Sequence, residues 1–194
     1  MHEDLAAHNA LVAAARDGDV AAFRQLFEAH HVKIYNLMVH MVGDPTEAED
    51  LTQTVFVRTW ERLGRLRSAE AFTVWLHQLA RNIARDHLRS RRRRQQEISD
   101  GWEDSGAAER PDPDPDRQPD VAVSRQETSE AVHAAVQSLP EHQREAIVLH
   151  HFEGIPVADV AKILGVRPGT VLSRLARGRE ALRRKLAPLV EPVA

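Results

Sequence analysis

Residues 110–116 read RPDPDPD, and this alternation of proline and aspartate constrains the fold more than any other stretch. Each proline lacks an amide donor and pushes its predecessor out of the α region, so no helix can run through it. The surrounding residues 95–120, QQEISDGWEDSGAAERPDPDPDRQPD, have no apolar periodicity and carry nine acids against two arginines, a net charge of −7. Such a segment cannot bury enough apolar surface to fold alone. It divides the 194-residue chain into two lengths, each near the lower end of self-sufficient size. The expected division is 1–95, an acidic linker over 96–125, and 126–194.

Both flanks read as helical. Aromatic residues make up only 5% of the chain, and good helix formers are abundant. Gly18 ends a short opening helix, and Asp19 is placed to cap a second that runs to Val42 and stops at Gly43. Asp44, Pro45 and Glu47 then supply an N-cap, a first-turn proline and a carboxylate three residues on. In the helix that follows, Ala48, Leu51, Val55, Thr59 and Leu63 recur at three- and four-residue spacing, and Glu49, Asp50, Gln53, Arg58 and Glu61 face outward. Ser68 is a cap candidate for the next helix, whose apolar stripe is Phe72, Trp75, Leu76, Leu79 and Ile83, with Leu88 beyond. The pattern predicts an all-α protein of two small helical domains joined by a flexible acidic linker.

Charge is strongly segregated. The whole chain is at −3, yet RNIARDHLRSRRRR at 81–94 carries +6, and residues 167–185 carry another +6. The second cluster lies on a helix-turn-helix. Val157, Val160, Ala161 and Leu164 space a short helix, Gly165 permits a sharp turn, and Pro168 restarts a second helix. On that second helix Val171, Leu175, Leu182 and Leu186 share one side, and Gly178 falls on the same stripe, allowing close backbone approach. Thr170, Ser173, Arg174, Arg177 and Arg179 are left to project outward, which suits entry into a DNA major groove.

Several classes of function are excluded or disfavoured. The chain has no cysteine, so disulfides and thiolate chemistry are absent. The amino terminus has no basic n-region and no apolar span, so no membrane insertion and a cytoplasmic location are the expectation. Eleven histidines include the pairs His30-His31 and His150-His151, but neighbours on a helix point about 100° apart and rarely share a metal. No HExxH, GxSxG, Walker or dinucleotide glycine pattern occurs. The expectation is therefore no enzyme, no catalytic residue, no cofactor, no metal and no small-molecule substrate.

Four ordered blocks resemble the sigma-70 family of bacterial RNA polymerase sigma factors, in the extracytoplasmic-function (ECF) group: GDVAAFRQLFEAHHVKIYNLMVHMVGD, AEDLTQTVFVRTW, FTVWLHQLARNIARDHLRSRRR and the stretch from LPEHQREAIVLHHFEG to REALRRKL. The resemblance covers essentially the whole chain. It implies sigma region 2 over 1–95 and sigma region 4 over 126–194, and an alternative sigma factor that binds core RNA polymerase and directs promoter-specific initiation. Promoter DNA and an anti-sigma factor are the other implied partners.

By position in the family's motifs, Asp50, Gln53, Phe56 and Trp60 fall where the clamp of polymerase docks. Gln78, Asn82 and Asp86 fall where the melted minus-ten element is read, and Arg81, Arg85 and Arg89 are suited to phosphates. Asp86 has a local alternative, an ion pair with Arg85 or Arg89. Thr170, Ser173, Arg174, Arg177 and Arg179 fall on the minus-thirty-five helix. Leu172 and Ala176 depart from the family, standing where larger or basic side chains are common, and shift the reading burden to Ser173, Arg174 and Arg177. The acidic linker could lie in the polymerase RNA path or fold back on the arginine clusters. The competing reading is a stand-alone helix-turn-helix regulator, which would bind DNA without polymerase and leave residues 44–94 without a role.

Overall fold

The computed structural model describes the backbone of residues 2–101 and 121–190 and the side chains of residues 5–97 and 129–187. The PDPDPD stretch, and with it the expected behaviour of the linker, lies outside the described residues. All regular structure among the described residues is helical: α1 His2–Arg16, α2 Val20–Val42, α3 Pro45–Leu63, a 3-10 turn Ala69–Ala71, α4 Phe72–Gly101, α5 Val121–Gln137, α6 Glu141–Ile147, a π turn Val148–Phe152, α7 Val157–Leu164 and α8 Pro168–Val190.

In the amino-terminal bundle the starts and stops follow local chemistry. The Asp19 carboxylate accepts from the amides of Ala21 and Ala22 at 2.8 and 3.2 Å, satisfying two donors that α2 cannot pair internally. Gly43 ends α2 at φ 83°, a left-handed conformation that a side chain would strain, and its N–H donates to the Val39 carbonyl. Asp44 then caps α3 by accepting from the Glu47 amide at 2.9 Å. The expected stripe of α3 is largely interior: Ala48, Val55 and Thr59 are fully buried, and Leu63 nearly so. The two buried threonines cost little there, because the hydroxyls of Thr52 and Thr59 donate to the Ala48 and Val55 carbonyls at 2.7 Å. Leu26, Ile34, Leu37, Met38, Met41, Phe72 and Leu76 complete this part of the core, each worth about 1.5–3 kcal/mol in transfer from water.

Three local expectations need correction. Ser68 does not cap α4: it precedes the 3-10 turn with no side-chain bond to the backbone, and its hydroxyl turns to the Glu70 carboxylate instead. The Glu47 carboxylate, expected at the start of α3, reaches Arg91 of α4 at 3.0 Å, where a cation offers more than a second cap bond. Helix also persists beyond residue 95, since α4 continues to Gly101, and α5 already begins at Val121. The arginines, glutamines and Glu97 are good helix formers, and no glycine or proline interrupts α4 before Gly101.

In the carboxy-terminal bundle, α7 and α8 form the expected helix-turn-helix. Gly165 turns the chain at φ 67°, and Pro168 opens α8. Val160, Leu164, Val171 and Leu175 close against Val136, Leu139, Ile147 and Leu149. Gly178 lets α8 meet α6: a β-carbon there would stand 2.7 Å from Cγ1 of the buried Ile147. The helix expected over 141–153 is α6 followed by the wider π turn, ending before Gly154.

The two bundles touch directly. Helix α4 packs on α7, and α2 packs on α5, α6 and the π turn. The His40 ring meets the rings of Phe152 and His133 at centroid distances of 4.3 and 5.3 Å.

Candidate nucleic-acid and partner interfaces

The first surface lies on α2 and α3. Helical spacing puts Phe23 and Phe27 one turn apart on α2, and Gln53, Phe56, Val57 and Trp60 along the facing edge of α3. Together with Val20 and Glu61 they line an open groove of about 650 Å³. Two aromatic pairs form its floor, Phe23 with Trp60 at 4.9 Å and Phe27 with Phe56 at 4.7 Å. Trp60, Val57 and Val20 are 40%, 58% and 68% exposed, a concentration of apolar surface that isolated domains seldom leave uncovered. Of the four residues expected on this face, Gln53 and Trp60 line the groove and are exposed. Phe56 lines it too but is only 5% exposed, and Asp50 is exposed outside the lining set. The contribution of Val20, Phe23, Phe27 and Val57 was missed, although the four-residue spacing of Phe23 and Phe27 marks them as neighbours on one face.

The second surface is the outer side of α4. Gln78, Arg81, Asn82, Arg85, Asp86 and Arg89 share it, as their spacing requires, but they divide into two groups. Asn82, Asp86 and Arg89 are exposed, and Asp86 makes no ion pair among the described residues. The others have partners from the carboxy-terminal bundle. Arg81 is paired with Glu145 through two bonds, Nε to Oε1 at 2.7 Å and Nη2 to Oε2 at 3.1 Å, with side chains only 13% and 4% exposed. Arg85 lies 3.1 Å from Glu141 and 3.9 Å from Glu145, and the Gln78 amide donates to the Lys162 carbonyl at 2.9 Å. These cross-bundle partners were not anticipated, since a glutamate in EHQREAIV carries no sequence mark of the helix it will face.

The third surface is the outer side of α8. Val171 and Leu175 are buried, while Thr170, Ser173, Arg177 and Arg179 are exposed and Arg174 is half-buried. The Ser173 hydroxyl donates to the Thr170 carbonyl at 2.9 Å. Leu172, noted as a departure, is 56% exposed on this side. Among the described residues Arg174, Arg177 and Arg179 form no ion pair, whereas further along the helix Arg183 holds Glu180 at 3.0 Å. The basic charge of the first half of α8 is therefore available to an anion.

The histidines are occupied differently. His30 shares an Nε2–Nε2 bond of 2.9 Å with His8, and burial pushes its pKa down to about 4. His150 Nδ1 lies 2.9 Å from the Ile155 carbonyl. Among the described residues no three His, Asp or Glu side chains are grouped to hold a metal, and no helix is long and apolar enough to cross a membrane.

Family models match both bundles in order: sigma-70 region 2 over residues 26–94 and sigma-70 region 4 over residues 129–182. The RNA polymerase sigma-H factor of Pseudomonas aeruginosa is 37% identical over 181 residues, spanning 93% of this chain and 94% of that protein. The ECF RNA polymerase sigma factor SigW of Bacillus subtilis is 30% identical over 181 residues, spanning 90% and 94%. The solved structure of the sigma factor RpoE in complex with the anti-sigma factor NepR from Bartonella quintana superposes with a TM-score of 0.68 at 26% identity, over 87% of this chain and 98% of that one. With two ordered regions, each on its own helical bundle, the chain belongs to the extracytoplasmic-function group of the sigma-70 family and is an alternative RNA polymerase sigma factor that directs transcription initiation.

Proposed function

We propose that this sigma factor works through the three surfaces in turn. The groove between α2 and α3, rimmed by Gln53 and Trp60 with Asp50 nearby, is the seat of core RNA polymerase. The α4 face reads the melted minus-ten strand, with Gln78, Asn82 and Asp86 at base edges and Arg81, Arg85 and Arg89 at phosphates. The first half of α8 lies in the major groove of the minus-thirty-five duplex, with Arg174 and Arg177 able to pair guanine through two bonds and Thr170, Ser173 and Arg179 available to the backbone. Residues 1–95 and 126–194 serve as the two promoter-reading units. The chain acts by binding, with no chemistry of its own, in the cytoplasm where its polymerase resides. An anti-sigma factor, such as the one named in the RpoE complex, completes the set of partners.

The observation that carries this reading is the pairing of an uncovered aromatic groove on the first bundle with a bare basic helix-turn-helix on the second. A stand-alone regulator accounts for the helix-turn-helix alone. The test is run-off transcription on genomic DNA with sigma-free core polymerase: the purified chain should confer defined start sites and yield a two-part promoter motif. DNA affinity unchanged by polymerase, with no start-site selection, would reject the reading.

A further inference from the structure

We infer that Leu172 is a specificity-determining residue that packs on the C5-methyl of a thymine in the minus-thirty-five duplex. The inference rests on the assignment of the first half of α8 to that duplex and names one base that it reads. Among the described residues of the carboxy-terminal bundle, two large apolar side chains are exposed, Phe152 and Leu172. Phe152 is covered by the His40 ring at 4.3 Å. Leu172 is 56% exposed and takes no part in the core to which its neighbours Val171 and Leu175 belong.

Its surroundings define what can cover it. Helical spacing puts Ala176 one turn after Leu172 and Gly169 one turn before, all three exposed on the outer side of α8. A β-carbon at Gly169 would meet open space, so nothing on the chain overhangs the strip. With neighbours this small, the leucine projects beyond both. Ser173, beside it, donates its hydroxyl hydrogen to the Thr170 carbonyl at 2.9 Å, and Arg177 and Arg179 are exposed with no ion pair among the described residues. An apolar side chain flanked by uncompensated cations suits a polyanion with apolar groups recessed between its charges. The major groove is such a surface: phosphates stand at its rims, and thymine alone of the four bases places a methyl in it. Leucine has neither donor nor acceptor, so against guanine, adenine or cytosine it would leave base-edge polar groups without partners. Against thymine it covers a methyl instead. One leucine among glycine, alanine and arginines is too small an apolar patch for a protein partner, whose contact cores are broader.

The test uses the holoenzyme, the full chain bound to sigma-free core polymerase. Selection from promoters randomised across the minus-thirty-five window yields the preferred element. Each of its thymines, on either strand, is then replaced singly by deoxyuridine, which removes the methyl and leaves every hydrogen-bonding group. Competition binding should show one thymine at which uridine weakens wild-type holoenzyme about fourfold, the worth of one buried methyl. Leu172→Ala and Leu172→Asn should bring that thymine-to-uridine ratio below about twofold, the second because it keeps the branched shape of leucine but not its apolar surface. An element without thymine, uridine tolerated at every position, or a ratio that survives both substitutions overturns the role of Leu172. Survival in Leu172→Asn alone does so as well, since shape would then be the property read. Weaker assembly of the variants with core polymerase, at an unaltered ratio, overturns it in favour of a protein contact. Failure of the underlying assignment looks different: the selection would then return no base preference in the window at all.

Discussion

Replacing Gly178 by alanine sets a helix-propensity gain against a steric clash, and the structure decides which wins. Alanine in a helix interior is favoured over glycine by about 1 kcal/mol. The added β-carbon would stand 2.7 Å from Ile147 Cγ1 and 3.1 Å from its Cδ1, whereas carbon atoms rest at about 3.5–4.0 Å. Roughly 1 Å must be found, and Ile147, 1% exposed, has nowhere to turn. Overpacking of this kind costs about 1–3 kcal/mol, and the contact lies at the severe end. The net loss is about 1–2 kcal/mol, a fall in Tm of about 2–8 °C for a chain of this size. Ile147→Ala alone should cost about 2–5 kcal/mol through the cavity it leaves. In that background the nearest remaining neighbour of the new β-carbon is Gln143 Cβ at 3.8 Å, so Gly178→Ala should stabilise by about 1 kcal/mol. The assay is thermal unfolding of the two single variants and the double. A higher Tm for Gly178→Ala alone would refute the close-approach argument for α6 and α8.

Trp60→Ala should leave Tm within a few degrees but reduce affinity for core polymerase by about 2 kcal/mol or more, measured by anisotropy of labelled sigma, because an exposed aromatic in an apolar groove is the usual anchor of an interface. Asp44→Ala should cost about 0.5–2 kcal/mol by orphaning the Glu47 amide, read as a lowered urea midpoint with unchanged m-value. Arg174→Ala should weaken promoter selection by about 1–3 kcal/mol at one base position if it reads a base, and uniformly across sequences if it holds a phosphate, as selection from a randomised minus-thirty-five library would show. Burial raises the Glu153 pKa to about 7, so its stabilising share is complete below the unfolded value near 4.5 and is lost as pH rises through 7; Glu153→Gln should raise Tm at pH 8 and flatten that slope. His30 has the opposite sign: held near 4, it favours the fold fully above 6.5 and less as pH falls toward 4.

What was legible in the sequence was what depends on nearby residues. The Asp19 and Asp44 caps, the Gly43 and Gly165 turns, and the buried Ala48-Val55-Thr59-Leu63 face all follow from spacing and backbone geometry within one or two turns. Gly178 was legible too, because a glycine on an apolar helix stripe has few other uses. The failures involve choice between partners. Ser68 had a backbone amide and a neighbouring carboxylate within reach and took the carboxylate, while Glu47 left its cap position for an arginine 44 residues away. The pairing of Arg81 with Glu145 spans 64 residues and crosses the acidic stretch. Nothing in either helix announces it, because a salt bridge has no periodicity.

Helix α2 runs without a break from Val20 to Val42. Phe23 stands at the groove and His40 at the contact with the second bundle, 17 residues and about 25 Å further along. An unbroken helix ties the placement of one end to that of the other, so a partner that tilted the aromatic end would carry the far joint with it. Leverage of that sort would vanish if a proline near Lys33 let the two halves swing apart, even with every residue at both ends left in place.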